Sequence, residues 1–232
     1  MIKNIIFDLD GTLTDSRSEI TQRMTDALAD WCLAGKQIAI TSGAELSQMV
    51  KQIPYIDSDK WPFHILPQSG NMYKHGEVIW EDILCDAERE EMYKHIGLIK
   101  KEYKPITENL LEDRGCQIAY SLIGHDAPKD KKKAFDPTGQ RRLKLLEEYP
   151  LQSDIVDVRV AGGTCLDYTA RGKHKGYNVQ RLIDRLGWNK DECVYIGDAL
   201  FKGGNDETVI GVIDTLETSG WQETIELMKS LV

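Results

Sequence analysis

A doubly wound parallel α/β sheet, interrupted by a separate α+β module, is the fold this sequence predicts, on three observations. Short apolar segments alternate with segments of helical spacing at both ends of the chain. Several of those apolar segments end abruptly in carboxylates or hydroxyls, as in open sheets that bind ligands at the carboxyl edge of their strands. From about residue 83 to residue 169 the alternation gives way to consecutive strands joined by short turns, the pattern of an antiparallel sheet with helices on one face. The expected division is a Rossmann-like core over 1–82 and 170–232, with the α+β module over 83–169.

The first strand runs from Asn4 to Phe7, short, β-branched and too apolar for a surface, and it ends in Asp8 and Asp10. A capping box at Ser16 and Glu19 then predicts a helix with Ile20, Met24, Ala27, Leu28 and Trp31 inward and Gly35 at its end. Gln37 to Thr41 reads as the second strand, finishing in Thr41-Ser42-Gly43. A helix with Leu46, Met49, Val50 and Ile53 on one face follows, and Pro54 stops it. Phe63 to Leu66 is the third strand, and Asn71 to Trp80 a hairpin turning at His75-Gly76.

In the inserted module, a polar helix from Leu84 to Lys101 leads into strands over Leu110 to Arg114 and Gln117 to Ile123. Asp126 to Asp136, with three consecutive lysines, reads as a solvated loop. Pro137 sits where a helix can begin, continuing over Arg141 to Glu148. Two more strands, Asp154 to Val160 and Thr164 to Tyr168, flank Gly162-Gly163. Beyond Gly172 the alternation resumes with a helix over Gly176 to Leu186, a buried strand over Cys193 to Ile196 ending in Gly197-Asp198, and a glycine-rich loop to Asp206. A strand over Val209 to Ile213 and a last helix aligned on Trp221, Ile225, Met228 and Leu231 complete the prediction.

Composition narrows the class. The net charge of −9, from 29 basic and 38 acidic residues, argues against nucleic acid and anionic membrane as partners. Five scattered cysteines form no Cys-x-x-Cys pair, so neither a disulfide framework nor a zinc site is indicated, and a reducing cytoplasm is the expected compartment. The N-terminus enters the first strand without a signal-like stretch, which adds to that expectation. Ile96 and Ile99 fit either a core or a dimer surface, which leaves a homodimer through the module open.

Two carboxylates one residue apart at a strand mouth repel each other unless a cation lies nearby or one holds a proton. The other strand ends and helix starts supply what a phosphoryl-transfer site needs. Asp8 can attack as a carboxylate, and Asp10 can protonate the leaving alkoxide and later activate water or an acceptor hydroxyl. A hard cation, best magnesium, fits between Asp8 and Asp198 with further oxygen ligands including a backbone carbonyl. Thr41 or Ser42 and Lys175 would hold the phosphoryl oxygens. Taken singly these signals are modest: a strand-end Thr-Ser is ordinarily a helix cap, and the basic run Arg171, Lys173, His174, Lys175 is ordinarily a wet loop.

Jointly and in this chain order, Asp8-Leu-Asp10-Gly-Thr12, Thr41-Ser42-Gly43, Lys175 and Gly197-Asp198 with Asp206 resemble the haloacid dehalogenase superfamily of phosphohydrolases and phosphomutases, with the insertion where members with a large α/β cap carry theirs. The resemblance implies Asp8 as nucleophile, Asp10 as acid/base, and magnesium on Asp8, the Asp10 carbonyl and Asp198, with Asp206 a further candidate ligand. Within it, Asp10 to Arg17, Pro67 to Gly70, Glu112-Asp-Arg114, Ile123-Gly124, Gly162-Gly163, Asp167 and Gly203 to Asp206 are similar to the eukaryotic-type phosphomannomutases. That likeness implies a phosphorylated sugar as substrate, with Arg17, Arg114 and Asp167 at positions that contact it.

Where those mutases carry two further arginines and a serine, this chain has His125, Lys132 and Cys165. Arginine offers phosphate a rigid fork; lysine offers a point charge and histidine a part-time one. Losing the forks weakens a distal phosphate by roughly 1.5–3 kcal/mol for each charged hydrogen bond. A mutase must hold a bisphosphate intermediate while it turns over, so the departures lean toward a sugar-phosphate phosphatase. A phosphomannomutase-type mutase is the alternative. A passive phosphoacceptor or binding module is the third reading, against which Asp10 and the insertion both speak.

Overall fold

A computed structural model describes residues 1–56 and 63–231. The chain enters directly into β1 (Asn4–Phe7), whose four residues are all buried, followed by α1 (Gln22–Leu33), β2 (Gln37–Thr41), α2 (Leu46–Gln52) and β3 (Phe63–Leu66). A hairpin, β4 (Met72–His75) and β5 (Glu77–Glu81), closes this half. Then come α3 (Asp86–Ile99), β6 (Leu111–Asp113), β7 (Ile118–Ser121), α4 (Lys129–Phe135), α5 (Gln140–Glu148), β8 (Val156–Ala161) and β9 (Cys165–Ala170). The chain ends with α6 (Lys175–Leu186), β10 (Cys193–Gly197), β11 (Asp214–Glu217) and α7 (Trp221–Ser230).

Among the described residues these strands form two sheets. The larger has the order β11-β10-β1-β2-β3-β4-β5, parallel from β11 to β3 and antiparallel at the hairpin. β1 is continuously apolar because it is covered on both faces. Ile5 and Phe7 pack against Met24 and Leu28 of α1, Met49 of α2 and Ile225 of α7, while Ile6 faces Val179 and Leu182 of α6. Each such side chain, fully buried, contributes roughly 1.5–3 kcal/mol. The β1 register, Phe7 beside Ile40 and Ile196, puts Asp8 next to Thr41 on one side and Gly197 on the other.

The smaller sheet, β6-β7-β9-β8, is antiparallel throughout. Its strands alternate, and each face has one character. Ile118, Tyr120, Leu166, Tyr168, Val156 and Val160 pack with Met92, Ile96 and Ile99 of α3 and Leu145 of α5. The opposite face carries Glu112, Gln117, Asp167 and Arg159, and it turns toward the carboxyl edge of the larger sheet. Ile96 and Ile99 are therefore core residues of this unit, not a dimer surface.

Three expectations need correction. The Ser16/Glu19 capping box does not form: α1 starts later, capped by Thr21, whose hydroxyl accepts from the Met24 N–H at 3.3 Å. The preceding loop is bent back instead, with Arg17 at φ +52 and its N–H donating to Asp10 Oδ1 at 2.7 Å. The stretch Val209 to Ile213 is not a strand; a 3-10 turn spans Glu207–Val209, and the edge strand comes later as β11. Val209 and Ile213 pack with α6 rather than in the ladder, and Gly176 permits the approach, since a Cβ there would lie 1.8 Å from the Thr208 carbonyl oxygen. The lysine-rich stretch holds α4, consistent with the helix propensity of lysine. Lys175, expected to open a helix, is the first residue of α6 and is 1% exposed, not part of a wet loop. Among the described residues no helix is long and apolar enough to cross a membrane.

Candidate active site

The carboxyl edge of the large sheet gathers four carboxylates and one lysine. Lys175, the first residue of α6, directs its ammonium at Asp8 Oδ1 and at Asp206 Oδ1, the latter at 2.7 Å. Asp206 also accepts from the Tyr195 hydroxyl at 2.6 Å and, through Oδ2, from the Ala199 N–H at 3.1 Å. It is thus a buried anchor between the glycine-rich loop, β10 and α6. Asp8, Asp198 and Asp206 each present an oxygen within 4.8 Å of the others. Gly11, at φ +85, lets the loop after β1 lie against this cluster: a Cβ there would be 2.3 Å from Asp198 Oδ2.

The electrostatics follow from crowding carboxylates in a dry edge. Burial pushes the Asp8 carboxyl well above its ordinary value; Lys175 opposes this, and Asp206 and Asp198 add to it. Burial, with Asp206 next, raises Asp198 to about 7. Burial works against the Lys175 ammonium, yet Asp206 and Asp8 hold its pKa above the ordinary value. One ammonium therefore compensates three carboxylates. An all-oxygen, electron-rich set of this kind suits a hard divalent cation, and magnesium fits it through Asp8 and Asp198, with Asp206 beside them.

The Asp10 carboxylate is held by the loop after β1 and by α2. Its Oδ1 accepts from the Arg17 N–H at 2.7 Å and from Gln52 Nε2 at 2.9 Å, so the side chain has a fixed orientation at the mouth of β1. Thr41, at the end of β2, has a buried hydroxyl without a hydrogen-bond partner among the described residues. The Ser42 hydroxyl accepts from the Ala44 N–H at 3.1 Å and keeps its own proton free to donate. An orphaned buried hydroxyl beside Asp8 is the kind of donor that an absent phosphoryl oxygen would satisfy.

The polar face of the small sheet converges on the same edge. Arg17 Nη2 donates to both oxygens of Glu112 at 2.9 Å and lies 3.2 Å from His125 Nδ1. Arg114 binds Glu112 through Nε at 3.2 Å and through Nη2, and also donates to the Gly43 carbonyl, as does Gln117 at 3.1 Å. Ser69 in turn donates to Gln117 Oε1 at 2.6 Å. Asp167 packs against Gly43, where a Cβ would meet its Oδ2 at 2.4 Å. Lys132 donates to the His125 backbone carbonyl, and Cys165 Sγ lies 3.9 Å from His125 Nδ1. Burial tends to raise Glu112, but Arg114, Arg17 and His125 outweigh it and hold this carboxyl at about 2. Burial lowers the pKa of His125 and of Lys132.

The structure thus brings Asp8, Lys175, Asp198 and Asp206 together, with Thr41 adjacent, and assembles Arg17, Arg114, His125 and Lys132 around Glu112. Sequence reasoning missed Gln52, Tyr195, Gln117 and, as a site residue in its own right, Glu112. Gln52 and Gln117 carry a faint signal, each a polar residue at an otherwise apolar helix or strand position; Glu112 carried none beyond its place beside Arg114.

The family model described as haloacid dehalogenase-like hydrolase matches residues 2–201. The phosphomannomutase of Encephalitozoon cuniculi is 24% identical over 213 residues, covering 87% of this chain and 81% of its own length. Among solved structures, the IMP-nucleotidase of Plasmodium falciparum superposes with a TM-score of 0.71 at 16% identity over 99% of this chain and 68% of that one. A phosphatase of the haloalkanoate superfamily from Bacteroides thetaiotaomicron gives 0.65 at 14% identity, covering 100% and 96%. At such identities these two likenesses speak to the fold.

Proposed function

Because the chain belongs to the haloacid dehalogenase-like hydrolases, we propose that it hydrolyses small phosphorylated sugars through an aspartyl phosphate on Asp8, with residues 83–169 acting as a substrate-selecting cap. In this reading Asp8 Oδ attacks phosphorus and the ester P–O bond breaks, while Asp10 gives its proton to the departing alkoxide oxygen. Water then attacks the aspartyl phosphate, Asp10 takes a proton from it, and inorganic phosphate leaves with Asp8 restored as a carboxylate. Lys175 and the Thr41 and Ser42 hydroxyls hold the non-bridging oxygens. Magnesium held by Asp8 and Asp198, with the Asp10 carbonyl and Asp206 as further candidate ligands, would neutralise charge developing on those oxygens. The fixed orientation of Asp10, between Arg17 N–H and Gln52, supports its role as a proton carrier rather than a side-chain metal ligand.

One observation favours hydrolysis over mutase chemistry: where the mutases carry two further arginines this chain has His125 and Lys132, which offer no guanidinium fork, and Lys132 is directed at the His125 backbone carbonyl. The 24% identity to a phosphomannomutase keeps the mutase as the second reading. The test is phosphate release from a panel of sugar monophosphates with magnesium, run with and without a sugar bisphosphate. Turnover by the unaltered chain, absent in Asp8→Asn and independent of bisphosphate, supports the hydrolase; isomerised product that requires bisphosphate overturns it in favour of the mutase.

A further inference from the structure

Asp198 and Asp206, two of the carboxylates suited to a cation, bracket the glycine-rich loop 199–205, and that loop is shared between the two sheets. Leu200 packs into the core of the large sheet on its α6 side, whereas the next side chain, Phe201, packs into the core of the small sheet. The Phe201 ring lies against Gly139, where a Cβ would be 3.0 Å away. Backbone bonds make the same join. β8 is an edge strand, paired with β9 on one side only, and a free edge needs cover. The Val160 N–H supplies it by donating to the Gly203 carbonyl at 3.1 Å, with a parallel bridge from Val160 to Gly204. Glu207 Oε2 closes the contact, accepting from the Gly203 N–H at 2.9 Å and from Arg159 Nη1 of β8 at 3.1 Å. Gly203 comes so near α5 that a Cβ would lie 2.3 Å from Leu143 Cδ2.

From this placement we infer that Phe201 is a positioning residue: through it, and through the Val160–Gly203 bond, the cap holds the loop between Asp198 and Asp206, so that seating of the cap and binding of magnesium strengthen each other. The inference rests on the magnesium site proposed above. Asp206 has anchors of its own in Lys175, Tyr195 and the Ala199 N–H, so what the cap adds is the path of the chain leading from Asp198 to it. Arg159 and Glu207 are part-exposed, which makes their ion pair the weaker part of the join and the packed phenyl ring the stronger. Coupling between two sites is reciprocal: the factor by which a seated cap raises magnesium affinity is the factor by which magnesium favours a seated cap, typically about 5–150-fold.

The test is a magnesium titration of the isotope-labelled full chain followed by its amide resonances, with hydrogen exchange of the Val160 amide measured at both ends of the titration. In the unaltered chain magnesium should slow Val160 exchange about fivefold or more, although this amide bonds to Gly203 and not to a ligand residue. Phe201→Ala should weaken magnesium binding about fivefold or more and leave Val160 exchange indifferent to magnesium, whereas Phe201→Leu, which keeps an apolar anchor, should stay within about twofold of the unaltered chain. Magnesium binding that leaves the Val160 amide of the unaltered chain unmoved overturns the inference alone, a result that needs no variant to fold. Unaltered magnesium affinity in Phe201→Ala also overturns it, as does a Phe201→Leu chain as weak as Phe201→Ala. Absence of magnesium binding by the unaltered chain removes the cation from the proposed reaction, and the inference falls with it.

Discussion

Replacing Lys175 by methionine keeps the volume and removes the one ammonium that compensates Asp8 and Asp206. Lys175 and Asp206 are 1% and 0% exposed, and their oxygen–nitrogen separation is 2.7 Å. Removing one partner of a buried pair strands the other, which typically costs about 3–5 kcal/mol. Here two carboxylates are stranded, so the upper part of that range is expected, measured as the loss of unfolding free energy in urea at pH 7.5 without added metal. The pH dependence gives a second check. Asp8 already has a raised folded-state pKa, and losing Lys175 raises it further. A carboxyl whose folded pKa exceeds its unfolded value binds more protons folded than unfolded, so its destabilisation grows as pH rises above the unfolded value and shrinks as pH falls back toward it. The Lys175→Met deficit should therefore be largest near neutrality and smaller at pH 5. The double variant Lys175→Met/Asp206→Asn should recover part of the loss, because one stranded charge is gone. A deficit below about 1 kcal/mol at pH 7.5, or one that does not shrink on acidification, would refute the view that Lys175 is the charge compensator of this edge.

Other perturbations probe other links. Gly11→Ala places a Cβ 2.3 Å from Asp198 Oδ2 at a backbone φ of +85, so magnesium affinity measured by calorimetry should fall about tenfold or more and phosphatase activity with it. Gln52→Met removes one of two donors to Asp10; kcat should drop about tenfold with KM little changed, since acid–base catalysis as a whole contributes roughly 10²–10⁴. His64, hydrogen-bonded to the Tyr73 hydroxyl at 2.8 Å, has its pKa lowered to about 4 by burial and by His75. The unfolded chain protonates this residue first, so stability is lost as pH falls from about 6.5 toward 4; between pH 7 and 4.5 His64→Asn should lose about 2 kcal/mol less than the unaltered chain in urea titrations. Chelation by EDTA should abolish turnover and magnesium restore it; activity indifferent to chelation would remove the cation from the proposed chemistry.

The parallel core was legible because its signals are local. β1, β2 and β3 are apolar runs bounded by polar residues, and the structure forms them over the expected residues. Ser16 and Glu19 misled because a capping box is also local, whereas the competing bond, Arg17 N–H to Asp10, belongs to the loop geometry of the site. Val209 to Ile213 misled for a tertiary reason: its apolar side chains serve the underside of α6, and only the packing at Gly176 decides that. In the site, Asp8, Lys175 and Asp198 were legible only jointly, as polar residues at strand ends and a helix start in one chain order. Glu112 was not, since its importance comes from meeting Arg17, a residue 95 positions away in the loop after β1. Long-range charge pairing leaves no periodic trace in a sequence.

That pairing also bears on how chemistry and selection communicate. Gly43 follows directly on Thr41 and Ser42, and its carbonyl accepts from Arg114 and from Gln117, at the two ends of the turn between β6 and β7. Ser69 of the core ties Gln117 down from the other side. In the proposed reaction, the loop that would offer hydroxyls to the phosphoryl group is thus held by residues that would face the far end of the substrate. Arg17 makes a parallel link: its backbone N–H orients Asp10 while its guanidinium grips Glu112 across the interface. A left-handed φ at a non-glycine residue costs about 1–2 kcal/mol and persists only when both ends are fixed. Releasing the guanidinium with Arg17→Gly should then relax the strain but leave Asp10 less firmly held. Binding of a sugar phosphate should weaken and kcat should fall together, because one residue serves both ends of the substrate. A variant that loses binding alone, with kcat unchanged at saturation, would show that the two ends are independent.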